Sequence, residues 1–325
     1  MELNLSIKNP KKEDEIDLTA VHDIVIIGAG PAGLNAALYS KRKGLNVLII
    51  ARDKGGQVMD TSSVENYLGF PSLSGEGLVN NFLDHVAELN VPILEYEEFD
   101  SIDSNEVSPI KTINLKSGKK VQTKSVILAT GSKPRRLGIP GEKEYAGKGV
   151  CYCAICDGPL FSDEEVIVAG GGNSAVEAAL DLSKIASKVT VVHRSVFRAD
   201  KILVDQLIEK DNVEIMLGTE IKEVIGDKFM TGIKAYDKEK SKEIEVSAAG
   251  LFVEIGYLPN SESFKGFIDL NQQNEIIVDK YGKTSVAGIY AAGDVTDTPY
   301  KQIIMSAADG AKCALSANDY LNSLK

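Results

Sequence analysis

Three cysteines fall within Cys151-Tyr152-Cys153-Ala154-Ile155-Cys156, and an acid, Asp157, follows the last of them. Cysteines three apart can close a disulfide. At the start of a helix the thiolate of such a pair is favoured by the helix dipole, and the thiolate is the species that attacks disulfides. Cys153 and Cys156 are therefore the candidate redox pair, with Asp157 handling the proton at their thiols. Two plainer readings stand beside this one. Cys151, Cys153 and Cys156 could be ligands of zinc or an iron–sulfur cluster, although the only other cysteine is the distant Cys313 and no histidine is near. Asp157 could equally be a helix-capping acid, a common job for Asp there.

A redox pair needs elements that deliver electrons to it, and the chain carries two. Ile24-Val25-Ile26-Ile27 is a β-branched run that ends in Gly28-Ala29-Gly30-Pro31-Ala32-Gly33, followed by a helical stretch, Leu34 to Lys43, and a second apolar strand, Val47 to Ile50. Strand, glycine turn, helix and strand in this order let main-chain N–H groups at a helix start hold a pyrophosphate, with glycines where side chains would block it. The pattern then returns without a gap. Ile24 to Gly33 lies over Val166 to Ala175, and Val47 to Ile50 over Val189 to Val192. In the second copy Gly170-Gly171-Gly172-Asn173-Ser174-Ala175 uses Ala at the third position, which the fingerprint allows. Val126 to Gly131, with Pro134 beyond, likewise echoes Leu251 to Gly256, with Pro259 beyond. The stretches before them, roughly 95–125 and 213–249, alternate polar and apolar residues between turn signals and read as small antiparallel meanders. The expected fold is α/β: two Rossmann-like dinucleotide-binding domains, each with a parallel sheet and a meander. A last helix, Gln302 to Asn318, should present a small apolar face in which Cys313 is a buried residue.

Composition narrows the function. The 325 residues suffice for about two domains, and 43% hydrophobic content fills two cores. A formal charge of -11 argues against nucleic acid or an anionic membrane as partner. Residues 1–20 are densely charged, lack the apolar stretch of a secretory signal, and read as a surface arm. No apolar run approaches bilayer length. These features place the chain in the cytoplasm, where a Cys-x-x-Cys is redox-active or metal-bound rather than part of a disulfide scaffold.

Taken in order, Gly28 to Gly33, Gly55-Gly56-Gln57, Val64-Glu65-Asn66-Tyr67, Ala129-Thr130-Gly131, Cys153 to Gly158, Gly170 to Glu177 and Gly293-Asp294-Val295 resemble the low-molecular-weight thioredoxin reductases over nearly the whole chain beyond the arm. The resemblance implies an FAD domain split in sequence (21–131 plus 262–325) and an inserted NAD(P)H domain (132–261) carrying the Cys-x-x-Cys. It also implies a homodimer, rotation between domains with hinges near Lys133-Pro134 and Pro259-Asn260, and thioredoxin or a thioredoxin-like protein as partner. Carried onto this chain, Gly28, Gly30, Ala32 and Gly33 face the FAD pyrophosphate. Gly56, Gln57, Asn66, Thr130, Gly131, Lys301 and Gln302 belong to the flavin side, and Gly293 with Asp294 holds the polyol. Gly170, Gly172, Asn173 and Ser174 face the nicotinamide nucleotide, and Cys156 is the thiol toward the flavin. No metal site is implied.

Two departures touch the FAD side: Ala51-Arg52 stands where many dinucleotide folds place an acid, with Asp53 just beyond, and Lys301 replaces a usual Arg. A third concerns the electron donor. His193 ends the second strand of the nicotinamide fold where an NAD-specific fold has an acid, and Arg194 follows, which favours a 2′-phosphate. The family's NADPH members show His-Arg-Arg and then another Arg. Here the run is His193-Arg194-Ser195-Val196-Phe197-Arg198, one arginine and one residue short. NADPH is the expected donor, with NADH or reduced ferredoxin as the alternative. A flavin dithiol oxidase and a non-enzymatic flavin- or zinc-binding protein are the other readings.

Overall fold

Runs of β-branched residues flanked by glycine turns fold here as parallel strands buried on both faces. The computed structural model describes residues 16–61, 64–104 and 108–324. Most of the expected arm, 1–15, lies outside the described residues; Ile16 and Leu18 pack against a hydrophobic core. The chain divides into two compact units. One draws its described residues from Met1–Thr61, Tyr67–Lys133 and Leu258–Lys325, the other from Ser62–Asn66 and Pro134–Tyr257.

The first unit opens with β1 (Val21–Ala29), α1 (Pro31–Arg42) and β2 (Val47–Lys54), then α2 (Gly75–Glu88), β3 (Ile93–Leu94), β4 (Phe99–Asp103), β5 (Lys111–Leu115) and β6 (Lys120–Leu128). The crossing strand β7 (Ser132–Pro134) leads to the second unit. There follow β8 (Val150–Cys151), α3 (Ala154–Asp157), β9 (Glu165–Ala169), α4 (Asn173–Leu182), β10 (Lys188–His193), α5 (Lys201–Ile208) and β11 (Val213–Leu217). Next come β12 (Thr219–Gly226), β13 (Met230–Asp237), β14 (Lys242–Ser247), β15 (Gly250–Val253) and the second crossing strand β16 (Tyr257–Pro259). The chain ends on β17 (Ile289–Ala291) and α6 (Ile303–Ser323).

In the first unit the sheet runs β3-β2-β1-β6-β5-β4 with β17 against β6; in the second, β11-β10-β9-β15-β8 is parallel throughout. The duplication seen in the sequence is reproduced residue for residue. Ile24 pairs with Val47 as Val166 pairs with Val189, and Val25 pairs with Val126 as Ile167 pairs with Leu251. The meanders differ from each other. In the second unit β12-β13-β14 forms its own antiparallel sheet, and the stretch from 213 contributes the parallel edge strand β11 before it. In the first, β4 and β5 continue the main sheet, because β6 pairs parallel with β1 and antiparallel with β5.

Helix α6 runs five residues beyond the expected Asn318, and its small face lies on α1: a side chain at Gly310 would collide with the Ala32 carbonyl. That close approach lets the start of α1 meet the segment just before α6. Cys313 is fully buried here, its thiol directed at the Ala291 carbonyl oxygen 3.1 Å away.

Candidate functional site

Cys153 caps the short helix α3 and Cys156 lies inside it, and the two sulfurs are joined as a disulfide with Cα atoms 5.3 Å apart. The main-chain N–H of Cys156 donates toward Cys153 Sγ at 3.2 Å. Both cysteines are half-buried, while Ile155 between them is exposed. Cys151 is a buried free thiol on β8. Among the described residues no group of three or more His, Cys, Asp or Glu side chains could hold a metal ion.

Asp157 ends α3, and its side chain makes no capping hydrogen bond to the 3-10 turn that follows, Gly158–Phe161, so the capping role is not observed. Burial pushes its carboxyl up to about 6, opposed by a hydrogen bond with the Cys151 thiol. Burial first, then the Asp157 charge, pushes the Cys151 thiol far above the ordinary thiol range. Cys151 is thus a neutral donor to Asp157, and Asp157 can hold or release a proton near neutrality beside the redox pair.

Glu254 is a second carboxyl at this place, and nothing in the sequence marks it beyond its following a buried strand. Its Oε1 accepts from the Ala154 N–H at 3.2 Å, next to Cys153. Burial pushes it up to about 7, with the Ala154 N–H opposing.

The second glycine turn shares this unit. Gly172 caps α4 with no side-chain capping bond, so the first N–H groups of a ten-residue helix point outward unclaimed by a cap. A side chain at Gly170 would overlap the Glu254 carbonyl, and one at Gly171 the ring of His193, whereas Gly172 faces open space. Asn173 Oδ1 accepts from the Asp200 N–H at 2.8 Å and its Nδ2 donates to Asp200 Oδ2 at 2.9 Å, a brace between α4 and the start of α5. Ser174 is exposed. His193 ends β10, buried, its pKa lowered by burial and by Arg198 and Arg194, so the ring is neutral. Arg194 and Arg198 flank it; the Arg198 N–H donates to the Gly171 carbonyl at 2.7 Å, which places that arginine at the turn.

In the first unit Gly28 has φ +115° and a side chain there would overlap the Ala129 carbonyl; one at Gly33 would overlap the Gly28 carbonyl. Gly30 caps the twelve-residue α1, again with no side-chain capping bond, and Gly56 lies opposite Gly30. Gly293 (φ +74°) packs against Ala32 and Ser306. Ser306 Oγ donates to Asp294 Oδ1 at 3.0 Å, and Ser132 also hydrogen-bonds Asp294, whose pKa is raised chiefly by burial. Gln57 Nε2 lies 3.4 Å from Ser132 Oγ, so Gln57, Ser132, Asp294 and Ser306 form a polar row. Ser132 and Ser306 carry no motif, and only the fold finds them. Gln302 caps α6; Lys301 is engaged by Glu275 at 3.0 Å and by the Thr296 carbonyl. Thr130 Oγ1 donates to the Asn260 carbonyl and Asn260 Nδ2 to the Thr130 carbonyl, both at 2.8 Å, with the Gly131 carbonyl accepting from the Asn260 N–H. Arg52 and Asp53 pair with each other on the surface. Asn66 falls with the second unit.

Both glycine cradles fit a dinucleotide: helix starts without a side-chain capping bond, no acid in the first turn, and main chain stripped of side chains where a pyrophosphate would approach. Two such folds with a redox disulfide in one of them define a disulfide oxidoreductase working with two nucleotide cofactors. The family model "pyridine nucleotide-disulphide oxidoreductase" matches residues 22–312. The chain belongs to that family, and membership implies FAD and a nicotinamide nucleotide. It is 41% identical over 300 residues to the NADH dehydrogenase of Bacillus subtilis, with 92% of this chain and 58% of that protein covered. It is 42% identical over 302 residues to alkyl hydroperoxide reductase F of Pseudomonas aeruginosa, with 92% and 58% covered. The chain thus spans less than two thirds of the length of these curated relatives. The crystal structure of thioredoxin reductase from Streptococcus pyogenes superposes with a TM-score of 0.88 at 36% identity, over 94% of this chain and 99% of that one. Among the described residues no helix is long and apolar enough to cross a membrane.

Proposed function

We propose that this chain is a flavoprotein disulfide reductase of the thioredoxin reductase type, taking electrons from NADPH and delivering them through Cys153 and Cys156 to the disulfide of thioredoxin or a thioredoxin-like protein. The observation that carries the reading is the Cys153–Cys156 disulfide on the unit that also bears the second glycine turn, with the Cys156 N–H directed at Cys153 Sγ. The likeness to a thioredoxin reductase over 99% of that chain supports the partner class.

The first unit would hold FAD, with the α1 start at Gly30 toward the pyrophosphate and Asp294, oriented by Ser306 and Ser132, accepting from the polyol hydroxyls. Bound FAD supplies hydride acceptance and electron-pair transfer to a disulfide. The chain's own residues do the rest. Cleavage of the Cys153–Cys156 bond leaves one sulfur as a thiolate and the other as a thiol. The Cys156 N–H stabilises negative charge on Cys153 Sγ, which makes Cys153 the thiol that attacks the partner's disulfide and leaves Cys156 toward the flavin. Asp157, with its carboxyl raised to about 6, holds the proton exchanged at Cys156. The nucleotide would lie on the α4 start at Gly172, with Arg194 and Arg198 toward a 2′-phosphate and a neutral His193 beneath the turn. A homodimer and a cytoplasmic setting belong to the same proposal.

A second reading keeps the chemistry and changes the ends of the chain of transfer. The relatives at 41% and 42% identity are named NADH dehydrogenase and alkyl hydroperoxide reductase F, which favours NADH as donor and a peroxide-reducing protein as acceptor. Steady-state rates with NADPH and NADH against thioredoxin and against a peroxide-reducing partner separate the two. Turnover of thioredoxin with NADPH supports the first reading, and turnover only with NADH and the peroxide-reducing partner replaces it.

A further inference from the structure

Glu254 sits between the two parts of the second unit that handle nucleotide and disulfide. Its main-chain N–H donates to the Ala169 carbonyl at 2.9 Å, and its own carbonyl occupies the space a side chain at Gly170 would fill, so its backbone is fixed against the glycine turn. Its side chain reaches the other way, to the Ala154 N–H at 3.2 Å, the first amide after Cys153. We infer that Glu254 is a positioning residue for the redox pair, which holds the segment after Cys153 in place and takes up a proton when the Cys153–Cys156 disulfide is reduced. The inference rests on the disulfide reductase reading.

The titratable and charged groups on the elements around Glu254 are Cys151, Tyr152, Cys153, Cys156 and Asp157 on the redox segment, His193 beyond Gly171, Arg135 beside Gly256, and Tyr257, whose hydroxyl donates to the Tyr152 carbonyl at 2.7 Å. Burial and the Ala154 N–H are the influences on its proton affinity. A thiolate formed at Cys153 adds negative charge one residue from the amide that Glu254 grips, and like charges in a partly buried site disfavour one another. On reduction the S–S bond breaks with an electron pair from a hydride donor, an external dithiol or a phosphine, one proton passed on by Asp157 and replaced from water makes the Cys156 thiol, and Cys153 remains a thiolate. A second proton from water converts the Glu254 carboxylate to the acid, leaving the Ala154 N–H bonded to its carbonyl oxygen. When Cys153 passes its electrons on, that proton is released.

The test uses the whole protein, reduced anaerobically with a phosphine, and follows iodoacetamide labelling of Cys153 against pH by mass spectrometry. Neither nucleotide nor protein partner is needed, so failure of the reductase reading, seen as absent turnover, is separate from failure here. Glu254→Gln keeps an acceptor for the Ala154 N–H and removes the charge. It should label about three- to tenfold faster than wild type near pH 8 and equally fast near pH 5, and the difference should persist in an Asp157→Asn background. Superimposable profiles for wild type and Glu254→Gln would overturn the inference. A reduced-minus-oxidised infrared difference spectrum of Asp157→Asn alone tests the same proton uptake without a change at Glu254: a protonated-carboxyl band should appear on reduction, and its absence contradicts the proposal.

Discussion

The Cys156 main-chain N–H donates to Cys153 Sγ at 3.2 Å, across the disulfide that joins the two residues. On reduction that donor favours charge on Cys153. Cys156→Ser should therefore accumulate a mixed disulfide between Cys153 and a thioredoxin that lacks its resolving cysteine and carries its remaining one as a disulfide with an aromatic thiol, which leaves as the free thiol, and Cys153→Ser should accumulate little. Non-reducing gel electrophoresis reads the adduct; equal trapping by both variants contradicts the assignment. Cys151→Ser keeps a donor for Asp157 and should be nearly silent, whereas Cys151→Ala should move the Asp157 titration upward.

Two half-buried carboxyls make stability depend on pH in a defined direction. Asp157 is raised from 3.8 to about 6 and Glu254 from 4.5 to about 7. Their folded values exceed the unfolded ones, so the native state binds more protons between about pH 4 and pH 7, and unfolding free energy falls as pH rises through that window. The loss is at most about 3 kcal/mol for each. Glu254→Gln should raise the melting temperature near pH 8 and change it little near pH 4, as followed by calorimetry. A shift of equal size at both pH values would exclude burial of the charge as its cause.

The glycines of the two turns divide into those the fold needs and those a ligand needs. Gly28 has φ +115° and no room for a side chain, so Gly28→Ala should cost about 3 kcal/mol of stability. Gly172 has φ -96° and open space around it, so Gly172→Ala should cost below about 1 kcal/mol yet weaken nucleotide binding about tenfold or more. Denaturant melts and fluorescence titration with NADPH separate these effects. Loss of stability at Gly172→Ala with unchanged binding would remove α4 from the nucleotide site.

Arg194 and Arg198 are the two cations that follow β10. A charge-assisted hydrogen bond is worth roughly 1.5–3 kcal/mol, so Arg194→Ala should raise KM for NADPH about ten- to a hundredfold and leave that for NADH little changed. Equal effects on both nucleotides would mean that Arg194 does not meet a 2′-phosphate.

What is legible in the sequence and what is hidden follow from how far apart the partners stand. The glycine turns and the paired strands are local signals, and because both copies keep their spacing, the pairing of Val25 with Val126 finds its counterpart in Ile167 with Leu251. The Cys-x-x-Cys pair and Asp157 are likewise contiguous. Glu254 meets Ala154 from a hundred residues away, Asp200 braces Asn173 from beyond all of α4 and β10, and Ser306 orients Asp294 from the first turn of α6. No periodicity marks such polar partners, since each is a single side chain brought in by the fold. The first meander reads as a separate element because alternation along β4 to β6 does not reveal that β6 also pairs with β1.

The most direct test of the central claim, that electrons pass from a nicotinamide nucleotide through a flavin to the Cys153–Cys156 disulfide, is an anaerobic titration with NADPH and, separately, with NADH and reduced ferredoxin, following flavin absorbance. Wild-type protein should take up two electron pairs per chain from NADPH, one for the disulfide and one for the flavin, and Cys153→Ser should take up one. The same uptake by wild type and Cys153→Ser, or no bleaching by either nucleotide while reduced ferredoxin bleaches the flavin, would contradict it.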